Sequence, residues 1–192
     1  MNRKDLFACP FFIDKIELDD RVYTAIKNTP CKGAMSYDED VLTSNFDFLH
    51  EPVNNLVSDV MSQLGFPNYH IFTSWMTYTT MGYRHGLDHM HCNSFMSGVL
   101  YLTDNASPII FRHPNPWRWS SGVDDTNDGI LKSNQYIMSP FRGDIVIFPS
   151  HVHHMILPHH DEEPRCSIAF NVVPVGKYGA RDSTINTSVH PN

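Results

Sequence analysis

From Tyr69 onward the chain is a succession of short runs rich in β-branched and aromatic residues: IFTSWMTYTT (71–80), SGVLYLTD (97–104), PIIFRHP (108–114), QYIMS (135–139), GDIVIFPS (143–150), HHMILP (153–158) and RCSIAFNVVP (165–174). Turn-forming stretches separate them at Asn105–Pro108, Pro114–Pro116, Pro140–Gly143 and Pro158–Pro164. Many short strands joined by turns argue for a sandwich or a barrel. The fold class expected is mainly β, with a few supporting helices near the N-terminus. The longest break, Asn115–Asn134, holds Trp117 and Trp119 in a PWRW run. It is a loop that could cover a site.

The first third reads as a support layer. Leu6–Ile16 is a strand candidate and 19–27 a short helix. From Glu51 to Leu64 the apolar residues Val53, Leu56, Val57, Val60, Met61 and Leu64 recur at helical spacing, with Pro52 placed in the first turn and Gly65 and Pro67 ending the helix. The 192 residues are expected to form one domain: support over 1–70, barrel core over 71–176, and a tail over 177–192. No run is apolar enough for a membrane span, and the acidic N-terminal stretch does not resemble a secretory signal. Four cysteines without CxxC spacing fit free thiols in a cytoplasmic protein. A formal net charge of −7 argues against nonspecific nucleic-acid binding.

Histidine is the outlying residue type. Nine of the 12 fall between His85 and His160, beside strand-like sequence, which favours a metal site. In Asp88-His89-Met90-His91, two histidines spaced by two residues would share one face if they lie in a strand. After the Pro149-Ser150 corner come His151, His153 and His154, any of which could be delivered as a third ligand. In Arg165-Cys166-Ser167-Ile168-Ala169-Phe170-Asn171, the odd residues share one face and the apolar even ones the other. A guanidinium with a hydroxyl two residues on can clamp a carboxylate.

Taken in order, His89-x-His91, SGVLYL, GDIVIFPS with its trailing histidine, and RCSIAFN resemble the Fe(II)- and 2-oxoglutarate-dependent oxygenase superfamily, in particular the members found in bacteria and bacteriophages. The likeness runs from about Trp75 to Pro174. It implies a double-stranded β-helix (jelly-roll, cupin-like) barrel, with Fe(II) on His89, His91 and His154. It implies 2-oxoglutarate on Arg165 and Ser167, with Tyr101 a further contact. The activity implied is hydroxylation of an unidentified substrate, a protein side chain or small molecule, by O2, with decarboxylation of 2-oxoglutarate to succinate and CO2. The chain departs from the wider superfamily at the second ligand, where His91 replaces an acid; Asn93 or Asp88 are alternatives there. The rival readings are a cupin-type metalloenzyme without 2-oxoglutarate and a metal-binding barrel without turnover. The glutamate a cupin would place after His91 is missing, and a cupin has no need of Arg165-x-Ser167.

Overall fold

The computed structural model describes residues 9–36, 40–83, 86–104, 107–114 and 135–188; the PWRW loop lies outside them. In chain order come β1 (Phe12–Lys15), α1 (Arg21–Asn28), β2 (Cys31–Lys32), β3 (Met35–Ser36), α2 (Asp47–Gln63), β4 (Tyr69–Thr79), β5 (Met96–Tyr101), β6 (Ile109–Arg112), β7 (Gln135–Met138), β8 (Asp144–Pro149), β9 (His154–Ile156), β10 (Arg165–Pro174), β11 (Gly176–Tyr178) and β12 (Ile185–Thr187). A seven-stranded antiparallel sheet runs β1-β8-β5-β10-β4-β3-β2, and a three-stranded one runs β7-β6-β9. This mainly β architecture is the jelly-roll class expected from the run of short strands, and each of the seven runs contains one strand.

The strands of the large sheet alternate between two cores. On β10, Cys166, Ile168, Phe170 and Val172 join Val22, Leu49, Val53, Val57 and Met61 of the helices in one core. On β8, Ile145 and Ile147 face this helix layer, while Val146 and Phe148 face the small sheet, where they pack with Tyr101, Ile109 and Phe111. Each fully buried side chain of this kind contributes about 1.5–3 kcal/mol. The chain β1 brings Phe11 with it, whose ring meets Phe111 edge-on at 4.7 Å. Gly98 is required where β5 crosses beneath Phe170: a Cβ there would stand 2.1 Å from the ring.

Three expectations shift. Helix α2 starts at Asp47, not Glu51, so Pro52 lies within the helix rather than in its first turn. The extra turn is held by Phe46 and Leu49, both buried in the helix-side core, and that burial outweighs the proline's missing N–H. The C-terminal stretch, read as a tail, contains the β11–β12 hairpin. His159, although beside the acidic Asp161, Glu162 and Glu163, is 1% exposed. Its Nε2–H donates to the Glu163 carbonyl (2.6 Å), which leaves Nδ1 to accept from Ser107 (3.0 Å). Of the Leu6–Ile16 run, residues 6–8 lie outside the described residues, and strand β1 takes up only Phe12–Lys15 of the rest. All four cysteines are free thiols, and no described helix is long and apolar enough to cross a membrane.

Candidate metal and cosubstrate site

His89 and His91 do not lie in a strand. The segment between β4 and β5 is irregular, and its geometry is set by long-range main-chain bonds instead of by pleating. His89 and His154 exchange both N–H···O bonds (3.0 and 2.9 Å), and the His91 N–H donates to the Ser150 carbonyl (2.9 Å). These bonds tie the segment to β9 and to the Pro-Ser corner, and the three rings come together. One ring nitrogen from each of His89, His91 and His154 lies within 4.8 Å of the other two. The ring centroids are 4.3 to 5.3 Å apart.

Hydrogen bonds select the nitrogen each ring has free. His89 Nδ1 faces the Leu87 carbonyl (2.5 Å), His154 Nδ1 the Val152 carbonyl (3.0 Å) and His91 Nδ1 the Asn171 amide oxygen (2.7 Å). Oxygen acceptors demand Nδ1–H, which leaves an Nε2 lone pair on every ring. A metal needs neutral imidazoles oriented in this way. Asp88 is turned elsewhere, pairing with Arg112 Nε at 2.8 Å and lying 3.5 Å from His153. Asn93, His151 and His153 are exposed. Trp75, a strand residue of β4, stacks on His91 with centroids 5.8 Å apart.

Burial pushes His154 down to about 4 and lowers His91 from its ordinary value. A buried neutral histidine has a signed consequence for stability. Between about pH 6.5, where the unfolded ring takes a proton, and about 4, where the folded one does, the unfolded state binds more protons. The metal-free protein should therefore lose stability as pH falls through that window, by up to on the order of 3 kcal/mol from His154. Urea denaturation across the range measures it. A His154→Gln protein should lack that part of the slope, and an unchanged slope would mean the ring titrates normally.

On the same face of β10 as Asn171 stands Arg165, 0% exposed. Its Nη1 donates to Thr77 Oγ1 (3.2 Å), and Thr77 Oγ1 and Ser167 Oγ are 2.7 Å apart. Among the described residues, Arg165 Nε and Nη2 make no hydrogen bond, nor do the buried Tyr101 hydroxyl and Thr79 Oγ1, although Tyr101 and Arg165 are close enough to favour each other's charged form. The guanidinium carbon lies 5.4 Å from the centre of the Tyr101 ring, and burial pushes the Tyr101 hydroxyl up to about 12, so it is a donor at neutral pH. No carboxylate pairs with Arg165 among the described residues. A buried, unpaired cation is costly by several kcal/mol, and unsatisfied donors around it add to that. The residues present therefore fit an anion. Ser167 contributes to the cradle through Thr77. Thr77 and Thr79 escaped the sequence reading because only the register, which sets Thr79 opposite Arg165 and Thr77 opposite Ser167, brings them there.

A three-imidazole cluster and an anion cradle inside one jelly-roll can be set against known proteins. A family profile described as "Putative 2OG-Fe(II) oxygenase" matches residues 73–171, just over half the chain. The chain belongs to the 2OG-Fe(II) oxygenase family. The matched span of this oxygenase includes the candidate residues from Trp75 to Asn171, and iron with 2-oxoglutarate are the cofactors of that family. Among solved structures, the oxygenase is similar to SnoN, a non-heme α-ketoglutarate-dependent epimerase from nogalamycin biosynthesis (14% identity, 88% of this chain and 81% of that one, TM-score 0.65). It is also similar to HygX from Streptomyces hygroscopicus with nickel, 2-oxoglutarate and hygromycin B bound (10%, 86% and 83%, 0.57). A third is a Pseudomonas putida prolyl-4-hydroxylase (14%, 85% and 92%, 0.56). At these identities the likeness is one of fold. No curated protein sequence matches.

Proposed function

We propose that this oxygenase is a hydroxylase that couples oxidative decarboxylation of 2-oxoglutarate to insertion of oxygen into a C–H bond of a separate substrate. His89, His91 and His154 hold Fe(II) through Nε2. Arg165 takes the distal carboxylate of 2-oxoglutarate in a bidentate contact, and the Tyr101 and Thr79 hydroxyls donate to the same group. Ser167 keeps Thr77, and through it the guanidinium, in place. When bound, iron and 2-oxoglutarate together supply the activation of O2. The protein's part is to orient both and to keep water out of an interior lined by Phe148, Phe111 and Val146. The observation that carries the reading is the fully buried guanidinium with two unpartnered nitrogens, on the same barrel interior as the histidine cluster. A cupin using metal alone has no need of it.

Hydroxylation is the reading adopted for the outcome, and the substrate is left open between a protein side chain and a small molecule. An apolar recess of about 420 Å³, lined in part by Met90, His91, Cys92 and Phe95, adjoins one of the proposed ligands. It is within the size range of small-ligand pockets. The experiment is to supply Fe(II), ascorbate, O2 and 2-oxoglutarate labelled at carbon 1, and to follow CO2 and succinate in equal amounts. Metal binding without any 2-oxoglutarate-dependent thermal stabilisation or decarboxylation would favour the cupin reading instead.

A further inference from the structure

Three of the runs that identify the family end or begin in polar residues with no role in the proposal above: Ser97 of SGVLYL, Ser150 of GDIVIFPS and Asn171 of RCSIAFN. The fold brings these three together. Ser97 Oγ lies 2.8 Å from Ser150 Oγ and donates to Asn171 Oδ1 at 2.8 Å, and the same oxygen lies 2.7 Å from His91 Nδ1. All three are buried, at 1%, 0% and 9% exposure for Ser97, Ser150 and Asn171.

The direction of this chain of bonds follows from counting protons. The Ser150 hydroxyl has no acceptor but Ser97 Oγ among the described residues, so its proton goes there. The Ser97 proton must then go to Asn171, which has to present its carbonyl oxygen. An oxygen facing His91 can only accept, so the ring carries its proton on Nδ1. The other two proposed ligands are fixed by main-chain carbonyls, which cannot do anything but accept. His91 alone depends on a side-chain amide, a group that offers oxygen in one orientation and N–H in the other. With the amide reversed, the His91 proton would move to Nε2, where it would block a metal, and one of the two serine protons would be left buried without an acceptor, since only one of them can occupy the Ser97–Ser150 contact.

We infer that Asn171, aligned by Ser97 and Ser150, is a positioning residue that fixes the tautomer of His91 and so keeps its Nε2 free for the metal. The inference rests on His91 being a ligand. Ser150 acts on the same residue a second way, since its carbonyl holds the His91 main chain.

The test uses the full-length, metal-free protein with ¹⁵N-labelled histidine rings. Long-range ¹H–¹⁵N spectra at about pH 8, above the ordinary imidazole pKa, report which ring nitrogen is protonated. The wild type should show His91 with the proton on Nδ1. Asn171→Leu keeps the shape and removes the acceptor: His91 should shift toward the Nε2–H form while His89 and His154 do not. Co(II) affinity should fall roughly 10–100-fold, as for other partners of metal-bound histidines. Asn171→Asp retains an acceptor and should keep both the tautomer and the affinity. Ser97→Ala should give a smaller shift in the same direction. If Asn171→Leu does not fold, the Asp and Ala variants carry the comparison. An unchanged His91 tautomer in Ser97→Ala and Asn171→Leu, with unchanged Co(II) affinity, overturns the inference. A wild type that shows the tautomer dependence but binds no Co(II) overturns the ligand reading, while Asn171's hold on the ring stands.

Discussion

Replacing Arg165 with alanine should raise the Michaelis constant for 2-oxoglutarate about 100-fold or more, since each hydrogen bond to a charged group is worth about 1.5–3 kcal/mol and tenfold in affinity about 1.4. Fe(II) binding should barely change, because no metal-site histidine bonds to Arg165. Arg165→Lys should rescue poorly: an ammonium is a point charge and cannot reproduce the fork that meets both carboxylate oxygens. Stability should move the other way. Among the described residues, Arg165 is a fully buried cation with two nitrogens that make no hydrogen bond, and Tyr101 and Thr79 add two such oxygens. Replacing a buried charge by an apolar side chain of similar length is often neutral or stabilising by about 1–4 kcal/mol. The Arg165→Met protein should therefore melt at or above the wild-type temperature, and should lose the further rise that 2-oxoglutarate gives the wild type. Succinate kinetics and thermal melts with and without 2-oxoglutarate check both halves. A variant that melts lower and still responds to 2-oxoglutarate would show that Arg165 serves the fold and not the cosubstrate.

The two faces of β10 were legible in the sequence because side-chain direction in a strand alternates residue by residue. RCSIAFN therefore announces that Arg165, Ser167, Ala169 and Asn171 turn one way and Cys166, Ile168 and Phe170 the other. The same rule did not extend to His89 and His91. Their nearness comes from main-chain bonds to His154 and Ser150, some 60 residues on, and no local pattern encodes those. Thr79 and Thr77 were hidden for a related reason. They become neighbours of Arg165 only through the antiparallel register of β4 with β10, almost 90 residues apart in sequence. His159 shows a third limit. Beside Asp161, Glu162 and Glu163 its composition reads as solvated, yet a hydroxyl and a carbonyl satisfy both ring nitrogens, which makes burial tolerable.

The three histidines should not be equivalent when each is replaced: burial separates His154 from His89, and the chemistry of the replacement decides His91. His154 is 5% exposed, with the Phe148 ring edge-on at 4.9 Å and the Phe111 ring at 6.0 Å. His154→Ala would leave a hole walled by the Phe148 and Phe111 rings, an apolar surface that disfavours a replacing water. Fe(II) affinity should drop well beyond the roughly 10–100-fold that follows loss of a ligand's own partner. His89 is exposed, so in His89→Ala a water can stand where the ring was, and the loss should be smaller. His91→Asp should be the mildest of the three. A carboxylate is also a ligand for iron, and the wider superfamily carries an acid at this place in its pattern. Anaerobic Fe(II) titration of the three variants gives the order directly. Equal losses for His154→Ala and His91→Asp would mean that the charge and geometry of the second ligand matter as much as the sealed position of the third. A His154→Ala protein that binds Fe(II) normally would remove His154 from the metal site.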